Sequence, residues 1–184
     1  MRISSFQSLL VAFVVAASTV VSAPVCAESK ADLDRTSKAA LNKLVKTVPA
    51  AKALNEKAVA ILVFPSITKA GLMIGGQYGE GVLWRGGKAV AYYSTSGASY
   101  GLQAGAQKYG YAMFFMRESA LNALNAASGF EVGVGPSIVV MDEGMGKSTT
   151  TTTLQDDIYA FVFSQSGLMA GLGLQGNKVT KLKK

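Results

Sequence analysis

Residues 60–83 read AILVFPSITKAGLMIGGQYGEGVL, and this stretch decides the fold that the sequence predicts. Its first part, residues 60–64, is a continuous apolar run of the kind found in buried strands, and it ends at Pro65. Pro65 and Gly71 together predict a turn after that strand. The rest of the segment has a strand-like composition but contains many glycines, which carry no side chain. Such glycines in a strand indicate bending or close packing of a sheet.

The residues that follow predict a hairpin. Residues 81–84 and 88–93 are two strand segments separated by Arg85 and the pair Gly86-Gly87, and a Gly-Gly pair is typical of a tight hairpin turn. Further apolar runs predict strands at residues 111–116, 137–141 and 158–163. Because the strands come in runs, we expect an α+β domain with a mostly antiparallel, strongly curved and glycine-rich sheet, with a barrel-like form as one option.

Upstream of this sheet the hydrophobic period is helical. The predicted amphipathic helix runs from Ala31 to about Val48 and ends at Pro49, and shorter helices are expected at residues 49–57 and 117–127. The apolar face of the long helix carries Leu33, Ala40, Leu41, Leu44, Val45 and Val48, and the opposite face carries Lys38, Asn42 and Lys46. Such a helix either lies on a membrane or docks on its own domain, and docking is the favoured interpretation.

Composition excludes most catalytic chemistry. The 184 residues contain no histidine and one cysteine, so there is no histidine-based nucleophilic pair, no cysteine-cluster zinc site and no intrachain disulfide. Ser66 and Lys69 match the spacing of a serine–lysine nucleophile, but its partner motifs are absent. The neighbouring acids 142–143 and 156–157 would point to opposite sides of an extended chain. We therefore expect a non-enzymatic protein with no catalytic residues, no metal site and no cofactor.

The first 27 residues resemble a secretory signal. Arg2 supplies the positive start, residues 9–21 are uncharged and largely apolar, and small residues precede a cut after Ala27. The sequence thus predicts a signal peptide at 1–27, one domain at 28–184, and an exported protein that is periplasmic or peripherally attached to the envelope. Lipidation of Cys26, which would make an outer-membrane lipoprotein, and an uncleaved membrane anchor are the less favoured alternatives.

Positive charge is concentrated near both ends of this domain. The chain has a formal net charge of +7, and seven of its 18 bases lie between residues 30 and 57. Four lysines occur in the last eight residues, where we expect a short basic tail. Excess positive charge favours an anionic partner such as lipid head groups, or it serves only solubility. Nucleic acid is not expected, because the basic helix has no aromatic residues and the aromatic strands carry few bases.

A short glycine pattern recurs four times. It consists of Gly, then Leu or Phe, any residue, a small or branched apolar residue, and Gly, and it occurs at residues 71–75, 101–105, 129–133 and 167–171. On a strand the two glycines of each block would share one face, because side chains alternate. Such a bare face allows the sheet to bend or pack tightly, or it admits a lipid or peptide, and bending or packing is the favoured interpretation.

The quoted block at residues 60–83 resembles the signature of SYLF-domain proteins, the Ysc84-type actin-binding family. The glycine blocks at 101–106, 130–133 and 167–172 follow in the family's order. The resemblance implies a binding domain, since relatives bind phosphoinositide-rich membranes and fungal members also bind actin filaments. An exported member would meet neither ligand, so general binding of anionic phospholipid carries over best, with Lys38, Lys43, Lys46 and Lys69 as candidate residues.

The sequence therefore predicts an envelope protein that binds anionic lipid or membrane surfaces. The alternative is a structural or protein-interaction role, as a homo-oligomer or surface antigen with envelope protein partners and no lipid affinity.

Overall fold

The computed structural model describes residues 28–125, 130–131, 136–148, 155–167 and 177–184. The elements in chain order are α1 (Lys30–Thr47), α2 (Pro49–Lys57), β1 (Ala60–Arg85), β2 (Lys88–Phe115), α3 (Glu118–Leu124), β3 (Phe130–Glu131), β4 (Ile138–Asp142), α4 (Glu143–Ser148), β5 (Ile158–Gly167) and β6 (Lys178–Leu182). The predicted signal segment 1–27, with Cys26, lies outside the described residues, as do Gly129, Gly133 and Gly171.

One sheet of six strands organises the described part of the chain. β1 pairs along its length with one edge of β2, while β5 and β6 share the opposite edge of β2, and β4 and β3 lie outside them. All pairs are antiparallel except β4 with β5. The sheet curls into a half-barrel, which confirms the predicted α+β class, the mostly antiparallel pairing and the strong curvature.

The continuous apolar run at residues 60–64 is explained by burial of both faces of β1. Leu62 and Phe64 belong to an inner cluster on one face of the sheet, together with Met113 of β2 and residues of α3. Ile61 and Val63 belong to an outer cluster, in which the sheet packs against α1 and α2. Alternate side chains on a strand point to opposite faces, so a strand covered on both faces needs apolar residues throughout.

The hairpin is confirmed at the predicted turn. Arg85 pairs with Lys88, and only Gly86 and Gly87 lie between them, with φ of 55° and 77°. Positive φ at both central residues is the type I′ geometry, whose twist matches that of the two flanking strands. Glycine is therefore required here for conformational reasons, and the structure places the turn at the end of a very long hairpin.

The predicted turn after Pro65 is wrong, because β1 continues through this residue. The register with β2 shifts between Phe64 and Ile67, so Pro65 lies in an irregular step of the ladder. At this step no regular backbone hydrogen bond requires the N–H group that proline lacks. Ser66 and Lys69 are consequently on a strand, three residues apart and facing opposite sides. That placement also removes the serine–lysine pair as a catalytic arrangement.

Glycines allow β1 to fold back across its own inner face. A Cβ built on Gly79 would lie 3.1 Å from the Ile67 Cα, and one built on Gly81 would lie 2.7 Å from the Val63 carbonyl oxygen. At Gly71 a Cβ would meet the backbone of Gly75 instead, with a register shift between Leu72 and Ile74. In the pattern block at residues 71–75, the contact of Gly71 with the Gly75 backbone supports the favoured interpretation, bending and tight packing. Gly79 and Gly81 lie outside that pattern and pack the strand against itself.

Helices α1 and α2 are docked on the outer face of the sheet. The Ser29 side chain caps α1 by accepting a hydrogen bond from the Asp32 N–H at 3.2 Å, and Pro49 starts α2. The apolar stripe of α1 is buried in the outer cluster, with Leu33, Leu41, Leu44 and Val48 almost fully covered. The docking interpretation of the amphipathic helix is thus confirmed.

The basic C-terminal segment contains a strand. Residues Lys178–Leu182 form β6, which pairs with β2, and the Lys184 amine contacts a carboxylate oxygen of Glu80 at 2.5 Å. The same amine donates to the Glu28 carbonyl oxygen at 2.7 Å. These contacts order the segment because the two partners of the ion pair are largely shielded from water.

Buried tyrosines on the inner face predict a loss of stability at high pH. Burial raises the pKa of Tyr109 to about 12, and the Tyr109 hydroxyl donates to the Gln77 side chain at 2.9 Å. The folded chain therefore keeps this proton to a higher pH than the unfolded chain, whose tyrosines titrate near 10. The free energy of unfolding should be unaffected below about pH 10 and fall between about 10 and 12, by about 1.4 kcal/mol per pH unit.

Urea titrations at a series of pH values measure this effect. A Tyr109→Phe variant, which lacks the titrating proton, should show a shallower decline above pH 10 than the parent chain. Parallel declines in the two proteins would contradict the assignment to Tyr109.

Candidate functional site

Three of the four predicted lysines lie on α1, outside its buried apolar stripe. Lys46 lies opposite the buried stripe, and Lys38 and Lys43 flank it on either side. Lys43 and Lys46 are exposed, and Lys38 is half-buried. Because the apolar stripe already packs on the sheet, α1 presents charge rather than hydrophobic surface to its surroundings.

Lys38 is held against the β1–β2 hairpin. Its amine lies 4.7 Å from the ring centroid of Trp84, and the Trp84 indole N–H donates to the Ser37 hydroxyl at 2.8 Å. These contacts lie at a cavity of about 240 Å³ that is also lined by Asn55 and Gly86. The ammonium is thereby restrained by a cation–π contact with an indole that has its own hydrogen bond.

The hydrogen bond between Trp84 and Ser37 can be tested by substitution of Ser37. The Ser37→Ala variant should lower the free energy of unfolding by about 1–2 kcal/mol, because it leaves the indole N–H of a tryptophan that is only 9% exposed without its partner. Chemical denaturation followed by circular dichroism measures the loss. Thr47→Ala is the matched control, since the exposed Thr47 hydroxyl bonds only to carbonyls of its own helix, and this variant should change stability little. Equal losses in both variants would contradict the role of Ser37.

Lys43 lies beside a second cavity on the other flank of α1. Its amine is 3.5 Å from the Ser164 hydroxyl, and Ser164 has the unusual φ of 51°. This cavity, of about 360 Å³, is also lined by Asp142 and Glu143. Both carboxylates are engaged with backbone, since Glu143 accepts from the Ser164 N–H at 3.0 Å and Asp142 accepts from the Met145 N–H at 2.7 Å.

Lys69 does not share the surface of the helix lysines. Only 3% of its surface is accessible, and its cross-strand partner on β2 is the buried Gln107. It also takes part in an interaction within the fold. The described structure therefore separates the buried Lys69 from the three candidate lysines on α1.

The described residues offer no clear catalytic arrangement. Within the described ranges no group of three or more Cys, Asp or Glu side chains is arranged to hold a metal ion. Arg117 pairs with Asp157 at 2.9 Å, and Tyr92 donates to both carboxylate oxygens of Asp34. Burial, followed by the Asp34 carboxylate, raises the pKa of Tyr92 to about 12, so this phenol keeps its proton to a higher pH than a free tyrosine. Also, no helix in the described part of the chain is long and apolar enough to span a membrane.

Sequence reasoning missed the partners of Lys38. Trp84, Asn55 and the Gly86-Gly87 turn come from three separate segments, and only the hairpin itself was signalled, by the Gly-Gly pair next to the single tryptophan. The contact of Lys43 with Ser164 joins residues that are 121 positions apart, and no sequence pattern indicates it.

Comparison with known proteins identifies the domain type. Residues 96–184 match the family model Ysc84, described as "Las17-binding protein actin regulator". No curated protein matches the chain. The matched range begins within β2, after the block at residues 60–83, although β1 and β2 form one continuous hairpin. The family description denotes a binding and regulatory role, and the match over residues 96–184 is consistent with a member of the SYLF, or Ysc84-type, domain family.

Proposed function

We propose that this chain is a non-enzymatic envelope protein that binds anionic phospholipid surfaces through the exposed lysines of α1. The observation that carries this proposal is the division of α1 into a fully docked apolar stripe and an outward basic side with Lys43 and Lys46 exposed. The match of residues 96–184 to a family described as Las17-binding and actin-regulating supports a binding role.

Binding in this mode is electrostatic. An exposed lysine near an anionic membrane contributes about 1 kcal/mol, and the attraction decays within a Debye length of about 10 Å at 0.1 M salt. Insertion of α1 would require its stripe to leave Trp84, Phe114 and the rest of the outer cluster. The docked helix therefore acts as a charged surface of the domain and does not enter the bilayer.

Co-sedimentation with vesicles tests the proposal. At low salt the protein should pellet with phosphatidylcholine vesicles that contain phosphatidylglycerol and stay in solution with phosphatidylcholine alone. Failure to pellet with the anionic vesicles would overturn lipid binding.

The envelope location is part of the same proposal. Residues just after the expected cleavage point at Ala27 take part in the fold, since the Glu28 carbonyl oxygen accepts a hydrogen bond from the Lys184 amine and α1 begins at Lys30. The mass of the protein recovered from cells tests this: a mature N-terminus at Glu28 supports export by signal cleavage, a diacylated Cys26 would identify a lipoprotein, and an intact residue 1 would contradict both.

A protein partner is the second candidate. The family description names a protein, Las17, as partner, and the exposed side chains of Ile74 and Tyr78, 66% and 42% accessible, offer apolar contact area on β1. Light scattering that shows a defined assembly, lost in an Ile74→Ser variant and accompanied by no affinity for vesicles, would favour this function over lipid binding.

A further inference from the structure

We propose that the cavity between α1, α2 and the β1–β2 turn is a binding site for a single phosphate monoester group. This phosphate pocket has an apolar wall and a side that carries hydrogen-bond donors. The apolar wall is formed by Leu41, Ala58, Val59, Ala60 and Ile61, and the other lining residues are Lys38, Asn55, Trp84, Gly86 and Gly87. The inference rests on the proposed function in one respect, because it specifies which part of a lipid head group the protein would hold.

The ammonium group of Lys38 is placed to receive an anion. It lies over the Trp84 ring at 4.7 Å, and within the described part of the chain it forms no ion pair with a carboxylate. A contact with the face of a ring restrains the amine and leaves N–H donors for a ligand, since an ammonium has three. Lys38 is half-buried, so its charge is screened less by salt than that of the fully exposed Lys46.

The hairpin turn contributes space and backbone donors. In a two-residue turn the N–H groups of the central residues, here Gly86 and Gly87, are not used by the ladder that starts at Arg85 and Lys88. A Cβ built on either glycine would meet nothing within 4 Å, so a ligand can approach the backbone directly. Consecutive backbone N–H groups in such turns are a common feature of anion sites.

Asn55 and the surrounding charge complete the pocket. The Asn55 amide supplies further N–H donors from α2. Two exposed lysines, Lys57 and Lys88, are close in sequence to lining residues. Of the nearby acids, Glu118 is paired with Arg85, and Glu56 does not line the cavity. A volume of about 240 Å³ accommodates a phosphate group but not a whole phospholipid. Donors from three segments around a restrained lysine favour a compact, multiply charged oxyanion over a single carboxylate.

Trp84 is the single tryptophan of the chain, so its fluorescence reports on this pocket alone. The full-length protein is titrated with inorganic phosphate and with glycerol phosphate at constant ionic strength, and chloride serves as the reference anion. We expect a saturable change in emission with both phosphates and none with chloride. In a Lys38→Gln variant the affinity should fall about ten-fold or more, the loss of one charged hydrogen-bond donor.

Two further variants keep the test decisive. Asn55→Asp, at an exposed helix position, adds a negative charge at the pocket and should weaken phosphate binding without disturbing the core. Lys181→Gln removes the same charge on β6, does not touch the lining of the pocket, and should retain the parent affinity. An emission change that does not saturate, or equal affinities in the parent, Lys38→Gln and Asn55→Asp proteins, would overturn the pocket.

Vesicles separate the lipid from the free anion. Phosphatidic acid ends in a phosphate monoester and phosphatidylglycerol in a phosphodiester, so vesicles with phosphatidic acid should be preferred, and free phosphate should compete with them. Phosphate binding without vesicle binding would retain the pocket and overturn the proposed function. Vesicle binding with no response of Trp84 to phosphate, and no effect of Lys38→Gln, would overturn the pocket and retain the proposed function.

Discussion

Gly81→Val should lower the free energy of unfolding by about 3 kcal/mol or more. A Cβ at this position would lie 2.6 Å from the Phe64 Cδ1 and 2.7 Å from the Val63 carbonyl oxygen. The ring of Phe64 is fully buried, and the carbonyl belongs to the backbone of the same strand, so neither neighbour can yield at low cost. Overpacking of a well-filled interior costs about 1–3 kcal/mol even where side chains can adjust, and backbone contacts raise that cost.

Gly76→Val is the matched control on the same strand. Gly76 is exposed, and a Cβ there would meet only the Gly97 carbonyl oxygen, at 3.9 Å. Because valine suits a strand and glycine costs conformational entropy, this variant should be as stable as the parent or slightly more stable. Urea denaturation of the three proteins makes the comparison. If Gly81→Val unfolded at the same midpoint as Gly76→Val, β1 would not fold across itself as described.

The second large effect is on membrane binding. The double variant Lys43→Glu, Lys46→Glu should weaken binding to anionic vesicles by roughly 2–4 kcal/mol, which is about 30-fold to about 1,000-fold. Each substitution removes one attraction of about 1 kcal/mol and adds a repulsion of comparable size. Both side chains are exposed on α1, so the fold should be unaffected. Vesicle titration at low salt measures the change.

The control is the double variant Lys181→Glu, Lys183→Glu, which changes the net charge by the same amount as the α1 double variant but at a different place on the domain. These two exposed lysines lie in or next to β6 rather than on α1, so the control separates a local effect from that of the net charge. We expect this control to bind vesicles within a few-fold of the parent. Equal losses in the two double variants would show that α1 is not the contact surface.

Local sequence patterns predicted the helices and the hairpin turn, whereas contacts between distant segments determine how these elements pack. The period of α1 and the Pro49 start of α2 are local signals, and both helices occur where expected. The Gly86-Gly87 turn is equally local, because positive φ at both positions is a property of the turn itself. Pro65 was misinterpreted, since whether a proline ends a strand depends on the partner strand, and here β2 accommodates it at a register shift.

The candidate site was predictable only in part for the same reason. Helical spacing placed Lys38 and Lys46 opposite the apolar stripe; Lys46 is exposed there, whereas Lys38 flanks the stripe and is half-buried against Trp84. The burial of Lys69 follows from the inward face of β1 after the shift between Phe64 and Ile67, which is a property of strand pairing. Likewise, the contact of Lys38 with Trp84 requires the hairpin to reach α1, and no spacing within the sequence encodes that distance.

The dependence of vesicle binding on salt tests the central claim most directly, namely that α1 binds membranes by its exposed charge while its apolar stripe stays docked. The parent protein, bound to phosphatidylglycerol-containing vesicles at low salt, is exposed to rising sodium chloride up to about 1 M, where the Debye length is about 3 Å. We expect progressive and complete release, without a change in helix content. Protein that remained bound at 1 M salt, or that never bound at low salt, would contradict it.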